Sequence, residues 1–320
     1  MRKLAVFALA LALCCAPMLA SAGGETKTIG VIQYVQHVAL DSAREGFVQA
    51  LADNGYVDGQ NIALDVQNAQ ADASNLATIS DRFVGNQVDL VLAIATPAAQ
   101  AIAGKTTTIP ILGTAITDYV AARLVNSNEN PGTNVSGTTD MNPVADQIAL
   151  LKELFPAAQT VGVLYASNED NSVVQAQLAK EAIEALGMRY IETTVSSSND
   201  VQQATQSIVG SCDAIYIPTD NVFASSMAVT YEVAVAAKKP IICGEEGMAM
   251  AGALATLGIN YYDLGYQTGL MAVRVLAGED VSTMPIETAS QMDYTFNATF
   301  AEAIGYAIPE AYQAYAKPME

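Results

Sequence analysis

Short apolar runs alternate with amphipathic stretches of helical period along this chain, and the alternation occurs twice in the same order. The first pass reads Ile29-Gly-Val-Ile-Gln33, Ile62-Ala-Leu-Asp-Val66, Val88-Asp-Leu-Val-Leu-Ala-Ile94 and Ile109-Pro-Ile-Leu112, with helical stretches at 42–54, 73–86 and 97–103. In the second pass, Val161-Gly-Val-Leu-Tyr165, Cys212-Asp-Ala-Ile-Tyr-Ile217 and Lys239-Pro-Ile-Ile-Cys243 echo the first, third and fourth of these. The helix after the first strand repeats too, and its two copies end at Gly55 and Gly187, as helix C′ positions favour. Apolar runs of this kind build parallel sheets covered on both faces, with the helical stretches as crossovers. The expected fold is therefore α/β, two doubly wound parallel-sheet lobes joined by a hinge, and 320 residues are ample at ~100–200 per domain.

Turn formers crowd residues 125–143, notably Asn126-Ser-Asn-Glu-Asn-Pro-Gly132, and the first interlobe crossing is expected there. The expected division is a leader at 1–22, a first lobe at 23–140 to which 262–282 returns, and a second lobe at 141–261 completed by 283–320. Met1-Arg2-Lys3 supplies a positive start, residues 4–13 an apolar stretch too short to span a bilayer, and Ala20-Ser21-Ala22 a cleavage site. This is the pattern of a cleavable secretory signal, so the mature chain is expected in the periplasm. Neither Cys14 nor Cys15 follows a small residue, which argues against a lipid anchor. Of the remaining thiols, Cys212 begins one expected strand and Cys243 ends another, ~16 Å apart along the strand direction. That is beyond disulfide reach, so both are expected as buried thiols.

Lys and Arg total 14 against 33 Asp and Glu, a formal net charge of −19 that would repel a phosphate backbone, so no nucleic-acid partner is expected. One His and no Trp leave no multi-His metal site and no Trp-based sugar platform. Dinucleotide-binding, phosphate-loop and nucleophile-elbow motifs are missing, and no cofactor is expected.

Ligands of open α/β sheets collect outside the carboxyl ends of the strands, near free helix N-termini, and two facing lobes bring those ends to one cleft. Gln33 and His37 follow the first strand, and Thr117 and Asp118 the fourth. Thr96-Pro97-Ala98-Ala99 follows the third, where Thr96 is an N-cap candidate and Pro97 fits the first helical position. Its hydroxyl and the amides at Ala98 and Ala99 either cap the helix alone or also cradle a carboxylate. The second half offers Asn171 and Ser172, then Asp220, then Glu246 within Gly244-Glu245-Glu246-Gly247. An α-amino acid requires donors facing its carboxylate and an anion facing its ammonium. The carboxylate is assigned to the turn at 96–98 with Asn171 and Ser172, and the ammonium to Asp220, whose other reading is a plain helix cap. His37 has a structural alternative, and Tyr34, Tyr119 and Tyr165 are either aromatic walls of the pocket or core residues.

At these residues the chain resembles the exported substrate-binding components of ABC transporters of the TrpX-like type, which have the type I periplasmic binding protein fold. The most diagnostic stretches are Ala93-Ile-Ala-Thr-Pro-Ala-Ala-Gln100 and Pro218-Thr-Asp-Asn221, and matching segments run across nearly the whole mature chain. The resemblance implies a Venus-flytrap receptor, expected as a monomer, that closes on an amino acid, often an aromatic one, and delivers it to a membrane permease. It also implies that groups like Thr96, Ala98, Asn171, Ser172 and Asp220 hold the ligand backbone, while groups like Gln33, His37, Thr117 and Glu246 read the side chain. Two departures bear on specificity: Gly244-Glu245-Glu246-Gly247 stands where a Ser-Asp-like turn is usual, and Asp118-Tyr119 where Asp-Pro is frequent.

Three functions are compatible with such a chain. A receptor without catalysis needs only a ligand that favours the closed state. A sensory module would present the same ligand to a chemoreceptor or kinase. An enzyme would have to rely on His37 as base or on Glu245 and Glu246, adjacent residues poorly placed to aim at one substrate.

Overall fold

A computed structural model describes residues 26–289 and 291–319, and the expected leader lies outside the described residues. The first sheet holds β1 (Lys27–Gln33), β2 (Ile62–Asn68), β3 (Leu90–Ile94), β4 (Ile111–Ile116) and β5 (Val135–Thr139), with β11 (Glu287–Thr288) at its edge. The second holds β6 (Thr160–Ala166), β7 (Arg189–Val195), β8 (Ala214–Ile217), β9 (Ile241–Cys243) and β10 (Ala255–Gly258), followed by β12 (Asp293–Asn297) and β13 (Ala316–Lys317). The spatial orders β2-β1-β3-β4-β5 and β7-β6-β8-β9-β10 are the same permutation, so the twofold pattern in the sequence is a repeated topology. Pairing is parallel except between β10 and β12. The central strands β3, β4, β8 and β9 are buried along their whole length, which explains their largely apolar sequence.

Crossover helices α1 (Val38–Asp53), α2 (Ala73–Gly85) and α3 (Thr96–Ala103) serve the first sheet. The second is served by α4 (Val144–Leu154), α5 (Asp170–Ala185), α6 (Val201–Ile208), the short α7 (Asn221–Ala224), α8 (Met227–Ala236), α9 (Glu246–Gly252) and α11 (Ala298–Ile304). Each lobe has its own apolar core, and Cys212 and Cys243 are buried free thiols of the second. Helix α10 (Tyr261–Leu276) follows the second lobe's β10 yet lies against α1 of the first. Glycines make that approach possible: a methyl at Gly265 would overlap the Ala43 carbonyl, and one at Gly46 the Tyr262 carbonyl.

The first crossing lies at 140–143, within the turn-rich stretch, and just before it Val135-Ser-Gly-Thr-Thr139 is a buried strand of the first lobe. Its hydroxyls are satisfied internally, Ser136 donating to the Met284 carbonyl (2.7 Å) and Thr138 pairing with Thr268 (2.8 Å). Residues 283–288, expected in the second lobe, also stay with the first. Met284 and Ile286 join its core, and Glu287 and Thr288 pair with Thr138 and Thr139. The lobes are thus joined after β5, after β10 and between β11 and β12. The first two connections are tied together where Asn142 Oδ1 accepts from the Ile259 amide (3.3 Å).

Candidate functional site

Sheet order reverses between β1 and β3 in one lobe and between β6 and β8 in the other, and such switch points open the crevices that hold ligands. Loops from these strand ends meet around a narrow cavity. The first lobe lines it with His37, Leu40, Ala115 and Thr117, and the second with Asn171, Thr219, Asp220, Asn221, Ala224 and Glu245. Asp140 and Tyr261, beside the crossings, complete the wall. Hydrogen bonds span the cleft from His37 Nε2 to Asn221 Oδ1 (3.3 Å), Gln100 to Asp170 (2.8 Å) and Gln175 to Thr117 (3.4 Å).

The wall is acidic. Asp140, Asp220 and Glu245 in the lining, and Glu169 bonded to the lining residues Asn171 and Asn221, are all buried, and no ion pair among the described residues reaches any of them. Burial pushes Glu245 up to about 7 despite amide bonds from Met248 and Gly247, with the charges of Glu246 and Asp140 adding to the effect. Asp140 is raised by burial, partly offset by bonds from Tyr261 (2.7 Å) and Thr117 (2.9 Å). Burial raises Glu169 well above the carboxylate range, and the neighbouring Asp220 raises it further. Burial also raises Asp220. Buried charge without a partner is costly, so a cationic group entering this cavity relieves an existing penalty. No group of His, Cys, Asp and Glu among the described residues is arranged to hold a metal ion.

Several buried polar atoms lack partners here: His37 Nδ1, Thr96 Oγ1, Glu169 Oε1 and Asn171 Oδ1. The tautomer of His37 follows from its neighbours. Asn221 points its amide nitrogen at Glu169 Oε2 (2.6 Å), which turns Oδ1 towards His37 and makes Nε2–H the donor. Burial lowers His37 to about 4, so the ring is neutral near pH 7 and Nδ1 offers a bare lone pair. Buried unpaired groups are rare in folded proteins, and their gathering at one cleft marks where a ligand's polar groups fit.

Of the residues singled out in the sequence, His37, Thr117, Asn171 and Asp220 line the cavity. Ser172 is buried beside it, accepting from Asn171 (3.2 Å). Asp220 is already engaged: it caps α7 through the Phe223 amide (2.8 Å) and accepts from the Ala166 amide (2.6 Å). Thr96 is the first residue of α3 rather than its cap, a place held by Ala95. The Ala98 and Ala99 amides donate to the Ala95 carbonyl (3.1 and 3.2 Å), which leaves the Thr96 hydroxyl as the turn's unpartnered side-chain donor. Gln33 lies behind the cavity, bridging Asp41 (2.9 Å) and Arg44 (2.8 Å), and Asp118 caps its own turn at Val120 and Ala121. Glu246 pairs with Lys317 (2.6 Å) at a neighbouring cavity, because Glu245 is the residue that folds back to cap α9 from inside. Tyr119 is a core residue bonded to the Thr138 carbonyl (3.0 Å), and Tyr165 faces Glu192 (3.1 Å) away from the cleft.

Asp140, Glu169, Glu245 and Tyr261 were missed as site residues. The two glutamates stand in strand-end segments that sequence does single out, but the choice between Glu245 and Glu246 depends on which one turns inward as a cap, and that between Glu169 and Asp170 on which one bonds Asn221. Backbone strain also collects here. Ala95 (φ 81°, ψ 152°) adopts a glycine-like conformation and Ala115 (φ 56°) sits in the left-handed region, at about 1–3 kcal/mol each.

A family model described as "ABC transporter substrate binding protein" matches residues 28–319, and the chain belongs to that family. Its architecture is that of the type I periplasmic binding proteins. Among its relatives is the "Tyrosine-binding protein" of Clostridioides difficile (strain R20291), 43% identical over 278 residues, 87% of this chain and 81% of that protein. A crystal structure of the "ABC domain in complex with L-Trp" from Streptococcus pneumonia is 37% identical with a TM-score of 0.87, covering 92% of this chain and 99% of that one. The "ligand-free, open structure" of a substrate binding protein with adhesive properties from Clostridium difficile is 45% identical with a TM-score of 0.70, covering 92% and 100%.

Proposed function

We propose that this protein captures a free aromatic amino acid between its lobes, outside the cytoplasmic membrane, and hands it to the permease of an ABC importer without chemical change. The observation that carries the reading is an interlobe cavity whose lining holds the unpartnered acceptors His37 Nδ1 and Asn171 Oδ1 and the buried carboxyls of Asp140, Asp220 and Glu245, which no ion pair among the described residues reaches. The ligand carboxylate meets the Thr96 hydroxyl and the Asn171–Ser172 helix start, and the ammonium meets the acidic wall around Asp220. The ring lies among His37, Leu40, Ala115 and Tyr261.

The tyrosine-binding and tryptophan-bound relatives support an aromatic ligand. Identity and superposition also diverge: the open, ligand-free relative is nearer in sequence, yet the tryptophan complex superposes better. A hinge rotation lowers superposition without touching sequence, which supports a closed arrangement here. Closure by a ligand touching both lobes gives the permease its signal, and a monomer suffices for it. The cleavable leader expected from the sequence supports a periplasmic location.

A thermal-shift screen of the twenty amino acids with sugars and nucleosides tests the reading, since a ligand of the folded state raises stability by RT ln(1 + [L]/Kd). L-tyrosine and L-tryptophan are expected to give the largest shifts. Shifts confined to sugars or nucleosides contradict it.

A further inference from the structure

Resting on the amino-acid reading above, we propose that Glu169 is the residue that receives the ligand's ammonium, and that it does so by exchange, releasing its own proton as the ammonium enters. Glu169 caps the start of α5 in position but not in bonding, because its side chain makes no capping hydrogen bond. Its carboxylate is bonded instead to Asn171 and Asn221, two residues that line the cavity. Oε2 accepts from the Asn221 side chain (2.6 Å), the Asn221 amide (3.3 Å) and Asn171 (3.3 Å), while Oε1 is buried with no partner.

The bonds that hold Oε2 link Glu169 to the two other unpartnered acceptors. Asn171 keeps Oδ1 free, and Asn221 passes the connection to His37, whose Nδ1 is free. An ammonium carries three N–H donors and no acceptor, and Glu169 Oε1 and Asn171 Oδ1 are bare acceptors on two side chains bonded to each other. Asp220 is less suited to direct contact, since both of its oxygens already take backbone amides.

The groups facing Glu169 explain the exchange. Asp220 at the start of α7 is a second carboxylate, and the first lobe presents His37, neutral at pH 7, and the phenol of Tyr34, itself held protonated by burial and by Glu169, Asp220 and Asp72. No ion pair among the described residues brings Lys or Arg to Glu169. Burial and the Asp220 charge therefore favour the protonated acid at neutral pH. When the ammonium arrives, the carboxyl O–H bond breaks, the proton leaves to solvent, and the carboxylate and ammonium pair without any covalent bond to the ligand.

Calorimetric titration of the mature chain with L-tyrosine, in buffers of different ionisation enthalpy near neutral pH, reads the exchange. About one proton released per ligand is expected, with affinity falling up to about tenfold per unit as pH is lowered. Glu169→Gln is expected to abolish the release and to weaken L-tyrosine by about 30-fold or more, the low end for breaking a buried charge pair. The same variant is expected to leave 3-(4-hydroxyphenyl)propanoate, which lacks the amine, within a few-fold. Binding by the wild type with no proton release overturns the proposal and needs no variant, as does a Glu169→Gln protein that keeps its preference for the amine. Binding of neither L-tyrosine nor L-tryptophan removes the aromatic reading and this proposal with it.

Discussion

Single side chains at the cleft hold two kinds of bond, those inside a lobe and those between lobes, and the two kinds answer differently to mutation. His37 Nε2 bonds Asn221 on the opposite lobe, so its loss weakens closure while the first lobe's own core is left intact. His37→Ala is expected to lower affinity for an aromatic amino acid by about 2- to 13-fold, the range of one hydrogen bond, with the melting temperature of the ligand-free protein unchanged. Paired calorimetric and melting measurements check this; an equal loss in both assigns His37 a purely structural role. Asp220 differs, because it bonds Phe223 and Ala166 within its own lobe. Sequence could locate both residues at strand ends but could not tell which one spans the gap.

At the scale of elements, the strands most legible in the sequence were those buried on both faces, such as Leu90–Ile94 and Ala214–Ile217, where unbroken apolar runs leave little choice. Val135–Thr139 escaped because its residues are turn formers, and only the partners of Ser136 and Thr138 reveal why they suit a buried strand. The site followed the same rule. Strand-end loops were legible, whereas the choice between Glu245 and Glu246 depended on a cap that forms only once α9 packs. The return of α10 to the first lobe rests on glycine contacts with α1, and Gly265→Ala puts a methyl into the Ala43 carbonyl. A destabilisation of about 1–3 kcal/mol is expected from such overpacking, read by chemical denaturation. A change within experimental error would show that the helices separate without cost.

For the whole molecule, the cavity's acidity sets stability and binding in opposition. Glu245, raised from 4.5 to about 7, binds its proton more tightly when folded, so its contribution is fully present below about pH 4.5 and is lost as pH rises through about 7. Asp140, Glu169 and Asp220 are shifted the same way. His37 opposes them: lowered from 6.5 to about 4, its contribution is present above about pH 6.5 and is lost as pH falls through about 4. With Glu245 raised to about 7 and Glu169 to about 8, the ligand-free melting temperature is expected to rise as pH falls from about 8 to about 6. A flat or falling profile over that range would contradict buried, unpaired carboxylates. The most direct measurement of the receptor account is a crystal structure grown with L-tyrosine. It is expected to show the amino acid enclosed between the lobes, with its ammonium at Glu169, its carboxylate at Thr96 and its ring beside His37 and Tyr261. Ligand density on one lobe alone, or none in the cleft at saturating tyrosine, would contradict it.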